Sequence, residues 1–424
     1  MRSWGWVVLA GAVALAGCGH HYSGVTVKLS SWGDVQENNI LADLASAFEK
    51  THPGIHVELQ HIPHNEYLTK LFTQIASGDA PDVIFTEVGE FTDLYLKNAL
   101  EPLNPYLQES HLDLSAYYPQ VTNRFTIQGK VYAVPRDTAP FCVIYYNKKA
   151  FDEAGLAYPT DDWTLDDFLK DAQAVTRRDA QGNVTRWGFI DDWPMPEAWI
   201  YDMGGSYVDD PDHPTRWTFA TDPNSLKGLQ FRADLLQRYK VMPSPSSMQA
   251  LGGLGNAGIF ENGTCAMFLS GIWKTPYFRG IKDFQWDVVM LPQGPGGKRA
   301  FPTGGSGYGL LGTSPHKKEA WELIQFLSGE EGAKKFASTG FAQPALMAVA
   351  NSPAFLDNQE PLNKKMLLKA VEYVKYPPVC ANWREVVESF IGPELDKVWN
   401  GTETPAQAMT RLAPVLEKNP PRMK

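Results

Sequence analysis

The sequence of 424 residues predicts an α/β fold whose sheets are mostly parallel and flanked by helices. Residues 25–30 alternate apolar and polar side chains, which is typical of a strand. Residues 39–50 then place apolar side chains on one helical face. The same order of strand and helix follows again along the chain, and such alternation is typical of parallel strands joined by crossover helices.

The next elements continue this alternation. Residues 55–60 predict a second strand, residues 66–77 a second helix and residues 82–86 a third strand. Ligands of such sheets bind beyond the carboxyl ends of the strands. We therefore expect functional side chains in two loops, residues 32–37 and 87–90.

Two further strands are predicted at residues 131–135 and 143–146, with a turn-rich crossing between them at residues 136–140. Thr164 is predicted to cap a helix, with Asp167 as its capping-box partner and Trp163 as a hydrophobic staple. Loop signals cluster at residues 191–196, 204–205, 243–258 and 292–309. Helical periodicity returns at residues 317–327 and from residue 384 onwards.

Composition excludes several classes of protein. The 38 basic and 48 acidic residues give a net charge of -10, so no global basic surface is available for nucleic acid. The 43% hydrophobic content argues against a disordered chain. Thirteen Trp and 17 Tyr are numerous for this length, and surplus aromatic faces suit a sugar or another flat ligand.

The amino terminus is predicted to be a targeting signal. An apolar run extends from Trp4 to Ala16, which is shorter than the roughly 20 residues of a spanning helix. It ends in Leu15, Ala16, Gly17 and Cys18, which resembles the lipobox of bacterial lipoproteins. We expect residues 1–17 to be removed, Cys18 to be lipidated and residues 18–24 to form a leader outside the cell.

The remaining cysteines, Cys142, Cys265 and Cys380, are odd in number and lack a CxxC pair, so a disulfide framework is not expected, although one bridge remains open. No metal site is predicted, because the histidine pairs at 52 and 56 and at 61 and 64 flank prolines and cannot share a helical face. No cofactor and no catalytic residue are predicted.

Several segments together carry a family resemblance. They are the lipobox, the opening strand and helix units, residues 132–135 followed by residues 144–148, the Gly204 and Gly205 pair, and residues 263–267 leading to Trp273. With this ordered set the chain resembles an extracellular solute-binding lipoprotein of a carbohydrate ABC importer, in the maltose-binding-protein-like branch (family 1). The resemblance implies a two-lobe periplasmic-binding-protein-like fold with a ligand cleft between lobes, and it implies no catalysis.

The resemblance also implies a division of the chain. Lobe I would comprise residues 25–136 and about 301–345, and lobe II residues 137–300 and about 346–424. The partners it implies are an oligosaccharide or related small solute and the permease subunits of an ABC importer. Membrane contact would occur through the lipid anchor only, and we expect a monomer that binds no nucleic acid.

The residues that match the family's cleft come from loops and crossings. We expect ligand contacts from Trp32, Asp34, Glu37, Glu87, Glu90, Arg136, Asp137, Trp193, Trp199, Trp273, Gly304, Gly305, Ser306, Trp383 and Arg384. Trp193 and Trp199 are alternatives for the aromatic residue that precedes the glycine pair. Trp273 and Trp383 are expected to stack on sugar rings.

Two other functions remain open from the residues. Arg136 and Arg384 could clamp an anion, which would suit a phosphorylated or acidic solute such as a glycerol phosphodiester or uronate. Glu87, Glu90 and Asp137 could supply the carboxylate pair of a secreted glycoside hydrolase. Solution measurements on the intact chain separate these functions, because an enzyme would release product and an anion receptor would lose affinity with salt.

Overall fold

A computed structural model describes residues 24–138, 141–251, 255–302 and 305–423. The strands are β1 (Val25–Ser31), β2 (Ile55–His61), β3 (Val83–Glu87), β4 (Thr126–Ile127), β5 (Lys130–Val131), β6 (Ala133–Asp137), β7 (Val143–Asn147), β8 (Arg177–Arg178), β9 (Val184–Arg186), β10 (Ile190–Asp191), β11 (Met267–Ser270), β12 (Trp286–Met290), β13 (Phe301–Pro302), β14 (Ser306–Leu310) and β15 (Val374–Lys375).

The α-helices lie between and after these strands along the chain. They are α1 (Val35–Thr51), α2 (Tyr67–Ser77), α3 (Val88–Leu96), α4 (Asn104–Ser110), α5 (Pro119–Arg124), α6 (Lys148–Ala154), α7 (Leu165–Val175), α8 (Pro196–Asp202), α9 (Pro223–Gln237), α10 (Pro245–Ala250), α11 (Gly255–Glu261), α12 (Thr275–Phe278), α13 (Lys317–Ser328), α14 (Glu330–Ser338), α15 (Met347–Ala350), α16 (Met366–Ala370), α17 (Trp383–Val386), α18 (Gly392–Trp399) and α19 (Pro405–Lys418).

The first lobe is built on a five-stranded sheet with the order β2-β1-β3-β14-β6. β1 pairs parallel with β2 and β3, whereas β14 runs antiparallel to both β3 and β6. Helices α1, α13 and α14 cover one face, where Phe48, Tyr308 and Trp321 are buried in one cluster. Because β1 and β3 are parallel, the loops after both strands lie at the same edge of the sheet.

The second lobe is built on a four-stranded mixed sheet with the order β10-β11-β7-β12. β10 pairs parallel with β11, and β7 runs antiparallel to β11 and β12. Tyr145, Phe168 and Phe268 belong to its aromatic core. Helices α18 and α19 pack against α9 and bury a further cluster that contains Leu229, Trp399 and Leu412. Antiparallel pairing is therefore more extensive than the alternating sequence pattern indicates.

The predicted elements of the first 90 residues occur with shifts of a few residues. The first helix begins at Val35 rather than at residue 39, because Asp34 caps it by accepting hydrogen bonds from two backbone amides. At the start of α7, Thr164 and Asp167 form the predicted capping box, and the buried indole of Trp163 donates to the carbonyl of Met290 (2.8 Å). These caps could be predicted from the sequence because they form between residues that are close together in the chain.

Two predicted loop regions contain regular structure. Residues 292–309 include β14, a central strand of the first sheet, and residues 243–258 include α10 and the start of α11. The three cysteines Cys142, Cys265 and Cys380 are buried and free, so the possible bridge does not form. Among the described residues, no helix combines the length and apolar character needed to cross a membrane. The expectations for residues 1–17 and Cys18 lie outside the described residues.

Candidate ligand-binding site

The carboxyl end of β1 supplies one side of a cleft between the two lobes. Trp32 leaves the strand and packs against Phe85 and Tyr67, with ring centroids 4.5 Å and 4.7 Å apart. Asp34 follows, and its Oδ1 accepts hydrogen bonds from the amides of Gln36 (2.9 Å) and Glu37 (3.0 Å). One oxygen of Asp34 is thus occupied by the helix cap, while its side chain remains exposed.

A buried network of charges lies beside this loop. Arg136, at the end of β6, forms ion pairs with Glu37 and, through Nε at 2.7 Å, with Oδ2 of Asp137. The hydroxyl of Ser306 also donates to Oδ2 of Asp137 (2.6 Å). The guanidinium carbon lies 3.9 Å from the ring centroid of Phe85. Arg136 is therefore paired with two protein carboxylates and packed on an aromatic ring.

Burial and charge act in opposite directions in this network. Burial raises the pKa of Glu37, while the adjacent Arg136 opposes that effect. Burial alone would lower the pKa of Arg136, but the carboxylates of Glu37 and Asp137 raise it above its ordinary value. The second oxygen of Asp137, Oδ1, is buried and accepts no hydrogen bond from the part of the chain that the structure describes. Asp137 lines the cavity, so this oxygen is an acceptor that a ligand hydroxyl could use.

The second lobe contributes an aromatic wall. The rings of Trp193 and Trp273 stack with centroids 6.3 Å apart and an interplanar angle of 15°. Phe141 meets both rings edge-on, at 5.5 Å from Trp193 and 5.4 Å from Trp273. Gly271 allows this arrangement, because a Cβ there would lie 1.8 Å from the Trp273 ring. Trp193 remains 39% exposed, which leaves indole surface available to a ligand.

A cavity of about 540 Å³ separates the two walls. Its lining combines both lobes: Trp32, Gly33, Asp34, Glu37, His64, Phe85, Glu87, Arg136, Asp137, Phe141, Trp193, Ile272, Trp273, Lys274, Ser306, Phe341 and Ala342. The volume lies within the range of small-molecule sites. Nine of the residues predicted from sequence are brought together here, namely Trp32, Asp34, Glu37, Glu87, Arg136, Asp137, Trp193, Trp273 and Ser306.

His64, Glu87 and Glu90 form a charged cluster at the rim of the cavity. His64 Nε2 lies 3.9 Å from Oε1 of Glu87 and 3.3 Å from Oε1 of Glu90. The two carboxylates raise the pKa of His64 to about 10, and burial raises the pKa of Glu90 to about 7. The ring of His64 also packs against Trp32, with centroids 5.3 Å apart. The cluster is therefore joined to the cleft through Trp32 and Glu87.

The matching family has the description "Bacterial extracellular solute-binding protein", and it aligns with residues 32–334. The chain belongs to this family. Membership confirms the resemblance inferred from sequence, since the family consists of solute-binding proteins, and it implies a location outside the cytoplasm. The function that such proteins perform is capture of a solute.

Relatives and solved structures agree with this assignment over most of the chain. The chain is 24% identical to the galactooligosaccharide-binding protein of Bacillus subtilis over 429 residues, covering 95% of this chain and 93% of the relative. An ABC substrate-binding protein of Listeria monocytogenes, solved with cycloalternan, is 29% identical with a TM-score of 0.83, covering 93% of this chain and 99% of the other. A maltose-bound protein of T. maritima is 23% identical with a TM-score of 0.80, covering 93% and 100%. The two-lobe fold is confirmed.

Some residues of this solute-binding protein lie away from the main cavity. Trp199, offered as an alternative to Trp193, is 1% exposed. Its ring packs against those of Phe168, Phe189 and Phe231, with ring centroids 5.3 to 5.8 Å apart. The expectation that Trp199 enters the cleft is corrected, because its side chain is enclosed by the aromatic core of the second lobe.

Trp383 and Arg384 line a smaller neighbouring cavity of about 180 Å³, which shares Glu87 with the main cavity. Trp383 packs against Tyr207 and Trp217, with centroids 5.2 Å and 6.1 Å away. Arg384 lies 3.9 Å from Glu90, and it is also within 4 Å of Asp93 and Glu388. The two residues therefore border the cleft at its Glu87 end rather than the space between the stacked indoles and Asp137.

The glycines expected to offer backbone donors contribute differently. Gly304 lies outside the described residues. The carbonyl of Gly305 accepts a hydrogen bond from the amide of Val88 (3.1 Å), and this bond fixes the start of α3. Ser306, the next residue, reaches the site through its side chain, as the bond to Asp137 shows.

Sequence reasoning missed several residues that line the cavity. Phe141 follows the predicted crossing, Lys274 follows Trp273, and Phe341 lies after α14. Lys274 Nζ is 3.3 Å from Asp192. The neighbouring position of Lys274 beside Trp273 was a usable signal, whereas nothing near Phe341 in the sequence connects it to the cleft.

Proposed function

We propose that this chain is the substrate-binding protein of a carbohydrate ABC importer, tethered by a lipid on Cys18, and that it captures an oligosaccharide for delivery to permease subunits. The observation that carries the proposal is the pairing of two walls across one cavity. Stacked Trp193 and Trp273 form one wall, and the carboxylates of Asp34, Glu87 and Asp137 lie on the other.

A pyranose ring needs both kinds of surface. Its apolar C–H face stacks on an indole, and its hydroxyls donate hydrogen bonds to carboxylates, which are stronger than bonds between neutral groups. Asp137 offers a buried Oδ1 that accepts no hydrogen bond from the described residues. A sugar that stacks on Trp273 and donates to Asp137 contacts both lobes at once.

The charges of the cavity favour a neutral ligand over an anion. Arg136, the main candidate for an anion clamp, is engaged by Glu37 and Asp137. Lys274 is paired with Asp192. An acidic or phosphorylated solute would face the carboxylates of Asp34 and Glu87 with no free cation among the described cavity residues, and like charges repel. This is why we place the acidic solute second.

The names of the relatives also support a carbohydrate ligand. A relative from Bacillus subtilis is named a melibiose, raffinose and stachyose-binding protein and is 26% identical over 322 residues, which cover 71% of this chain and 69% of that relative. We infer that the ligand here belongs to the same chemical class, with more than one sugar ring because a second, smaller cavity beside Trp383 shares Glu87 with the main one.

Lobe movement completes the proposal. We propose the division predicted from sequence with one change, because Asp137 is the last residue of β6 and belongs to the first sheet: residues 25–137 with about 301–345 form lobe I, residues 138–300 with about 346–424 form lobe II, and the protein acts as a monomer. The crossings near Arg136 and before Ser306 would act as hinges. Because both walls contact the ligand only when the lobes approach, sugar should select the closed form.

A thermal-shift screen tests the proposed ligand class. A ligand that binds only the folded chain stabilises it by about 2.7 kcal/mol at one hundred times its dissociation constant. We expect oligosaccharides to raise the melting temperature and uronates or glycerol phosphodiesters to leave it unchanged. A shift with the anions alone, lost on addition of salt, would replace the carbohydrate proposal with the second candidate.

The same samples separate a receptor from an enzyme. The sugar that gives the largest shift is incubated overnight with the protein and then analysed for products. We expect the sugar to be recovered unchanged at one equivalent per chain. Released monosaccharide that disappears in the Glu87→Gln variant would favour a glycoside hydrolase instead.

A further inference from the structure

His64, Glu87 and Glu90 come from three different elements. Glu87 ends β3, Glu90 lies in the first turn of α3, and His64 begins the short turn after β2. One ligand atom from each, His64 Nε2 and one carboxylate oxygen from each glutamate, lies within 4.8 Å of the other two. The fold thus places three potential metal ligands from different elements side by side.

Glu90 provides an independent indication of a missing partner. Its side chain is 1% exposed, and neither carboxylate oxygen accepts a hydrogen bond from the residues that the structure describes. The nearest cationic groups are His64 at 3.3 Å and Arg384 at 3.9 Å. Both of these distances are to Oε1, whereas Oε2 accepts no hydrogen bond from the described residues, and an unsatisfied buried carboxylate oxygen is costly.

We propose that His64, Glu87 and Glu90 bind a divalent transition-metal ion of the zinc type at the rim of the cleft. Zinc accepts nitrogen and carboxylate ligands at about 2.0 to 2.2 Å in tetrahedral geometry, which separates the ligand atoms by about 3.4 Å. The two distances from His64 Nε2, 3.3 Å and 3.9 Å, are close to this value, and the two carboxylate oxygens lie within 4.8 Å of each other. Imidazole among the ligands favours such an ion over magnesium or calcium.

The surroundings are compatible with an ion. Trp32 packs against the ring of His64 and restrains its orientation. Binding would displace the proton on His64 and release Arg384 to its other neighbours, Asp93 at 3.8 Å and Glu388 at 3.7 Å. Three protein ligands leave a fourth position, and Glu87 brings the ion to the main cavity. If the proposed carbohydrate function holds, a sugar hydroxyl or a water occupies that position.

Calorimetric titration of the metal-stripped full chain with Zn²⁺, in the absence of sugar, tests the proposal. We expect one ion per chain. His64→Ala and Glu90→Gln should each weaken binding at least tenfold, since loss of even an outer partner of a metal ligand costs that much. His56→Ala is the matched control, because His56 pairs with Glu49 (2.7 Å) at a different surface, and it should bind Zn²⁺ like the parent.

Folding of each variant is checked by thermal denaturation. If Glu90→Gln fails to fold, Glu87→Gln takes its place, because the side chain of Glu87 is 29% exposed and tolerates the change better. Absence of stoichiometric Zn²⁺ binding, or equal affinity in parent, His64→Ala and the glutamine variant, overturns the proposal and leaves an ion-pair cluster. Sugar binding measured with a chelator present is independent of this result, so the two proposals can fail separately.

Discussion

Trp273→Ala removes the ring of the aromatic wall that neighbouring residues hold most firmly. The Trp273 ring is held by the close approach of Gly271, by stacking on Trp193 and by the edge of Phe141. An indole restrained in this way loses little freedom when a sugar covers it, so most of the contact energy is available for binding. Removal of the ring should therefore weaken sugar binding strongly.

The magnitude follows from the area of one indole face. Aromatic side chains bury 150 to 250 Å² when fully covered, and a sugar that covers one face removes about 80 to 100 Å² from water. At about 25 cal/mol per Å² this contact contributes roughly 2 to 2.5 kcal/mol. By the relation of 1.4 kcal/mol per tenfold, affinity should fall about 30-fold to 60-fold.

Calorimetric titration with the best sugar from the thermal-shift screen measures this loss. Trp163→Ala serves as the control, because Trp163 is 4% exposed in the second-lobe core and donates to Met290. It should lower the melting temperature and leave the affinity of the folded fraction unchanged. If folded Trp273→Ala binds like the parent, the stacking surface lies elsewhere and this reasoning is wrong.

Four further predictions concern stability, titration, movement and targeting. Trp199→Ala should destabilise the fold by about 3 to 5 kcal/mol in urea unfolding with no effect on sugar affinity, and a loss of affinity in folded protein would return Trp199 to the site. Burial raises the pKa of Asp171 to about 6, so the folded state favours the protonated side chain. The stability that this preference gives is complete below about pH 4 and is lost as the pH rises through 6. Asp171→Asn should therefore be about 1 kcal/mol more stable than the parent at pH 7 and equal to it at pH 4, and an equal difference at both pH values would refute this cause. Saturating sugar should reduce the radius of gyration in small-angle scattering, and an unchanged value would remove lobe closure from the account. Cys18→Ser should release the protein from the membrane or leave it unprocessed, whereas membrane retention after correct cleavage would count against lipidation.

Sequence reasoning was most successful where local patterns determine structure. The strands β1, β2 and β3 and the capping box of α7 follow from alternation, helical periodicity and a motif of four residues. The loops after β1 and β3 were expected at one sheet edge, and Trp32 and Glu87 do line the same cavity.

Prediction from the sequence missed strand β14 for a physical reason. Ser306–Leu310 alternates glycine with larger residues and resembles a loop, yet a Cβ at Gly307 would lie 2.4 Å from the carbonyl oxygen of Val134. Glycine is required there because β6 approaches closely, and that contact is invisible without the tertiary structure.

Long-range contacts also decided which aromatic and charged residues reach the cleft. Trp193 and Trp199 are six residues apart and equally plausible from sequence, but α8 turns Trp199 into the core. His64 was read as half of a histidine pair that cannot bind metal together with His61. Its proximity to Glu87 and Glu90 arises only when β2 and β3 are placed in one sheet.

Calorimetric titration of the intact chain with a panel of neutral oligosaccharides is the decisive test of carbohydrate capture by this protein. We expect saturable binding of one oligosaccharide per chain at the cavity between Trp273 and Asp137, with little dependence on salt because the ligand is neutral. Absence of heat with every oligosaccharide, together with salt-sensitive binding of an acidic solute, would contradict it.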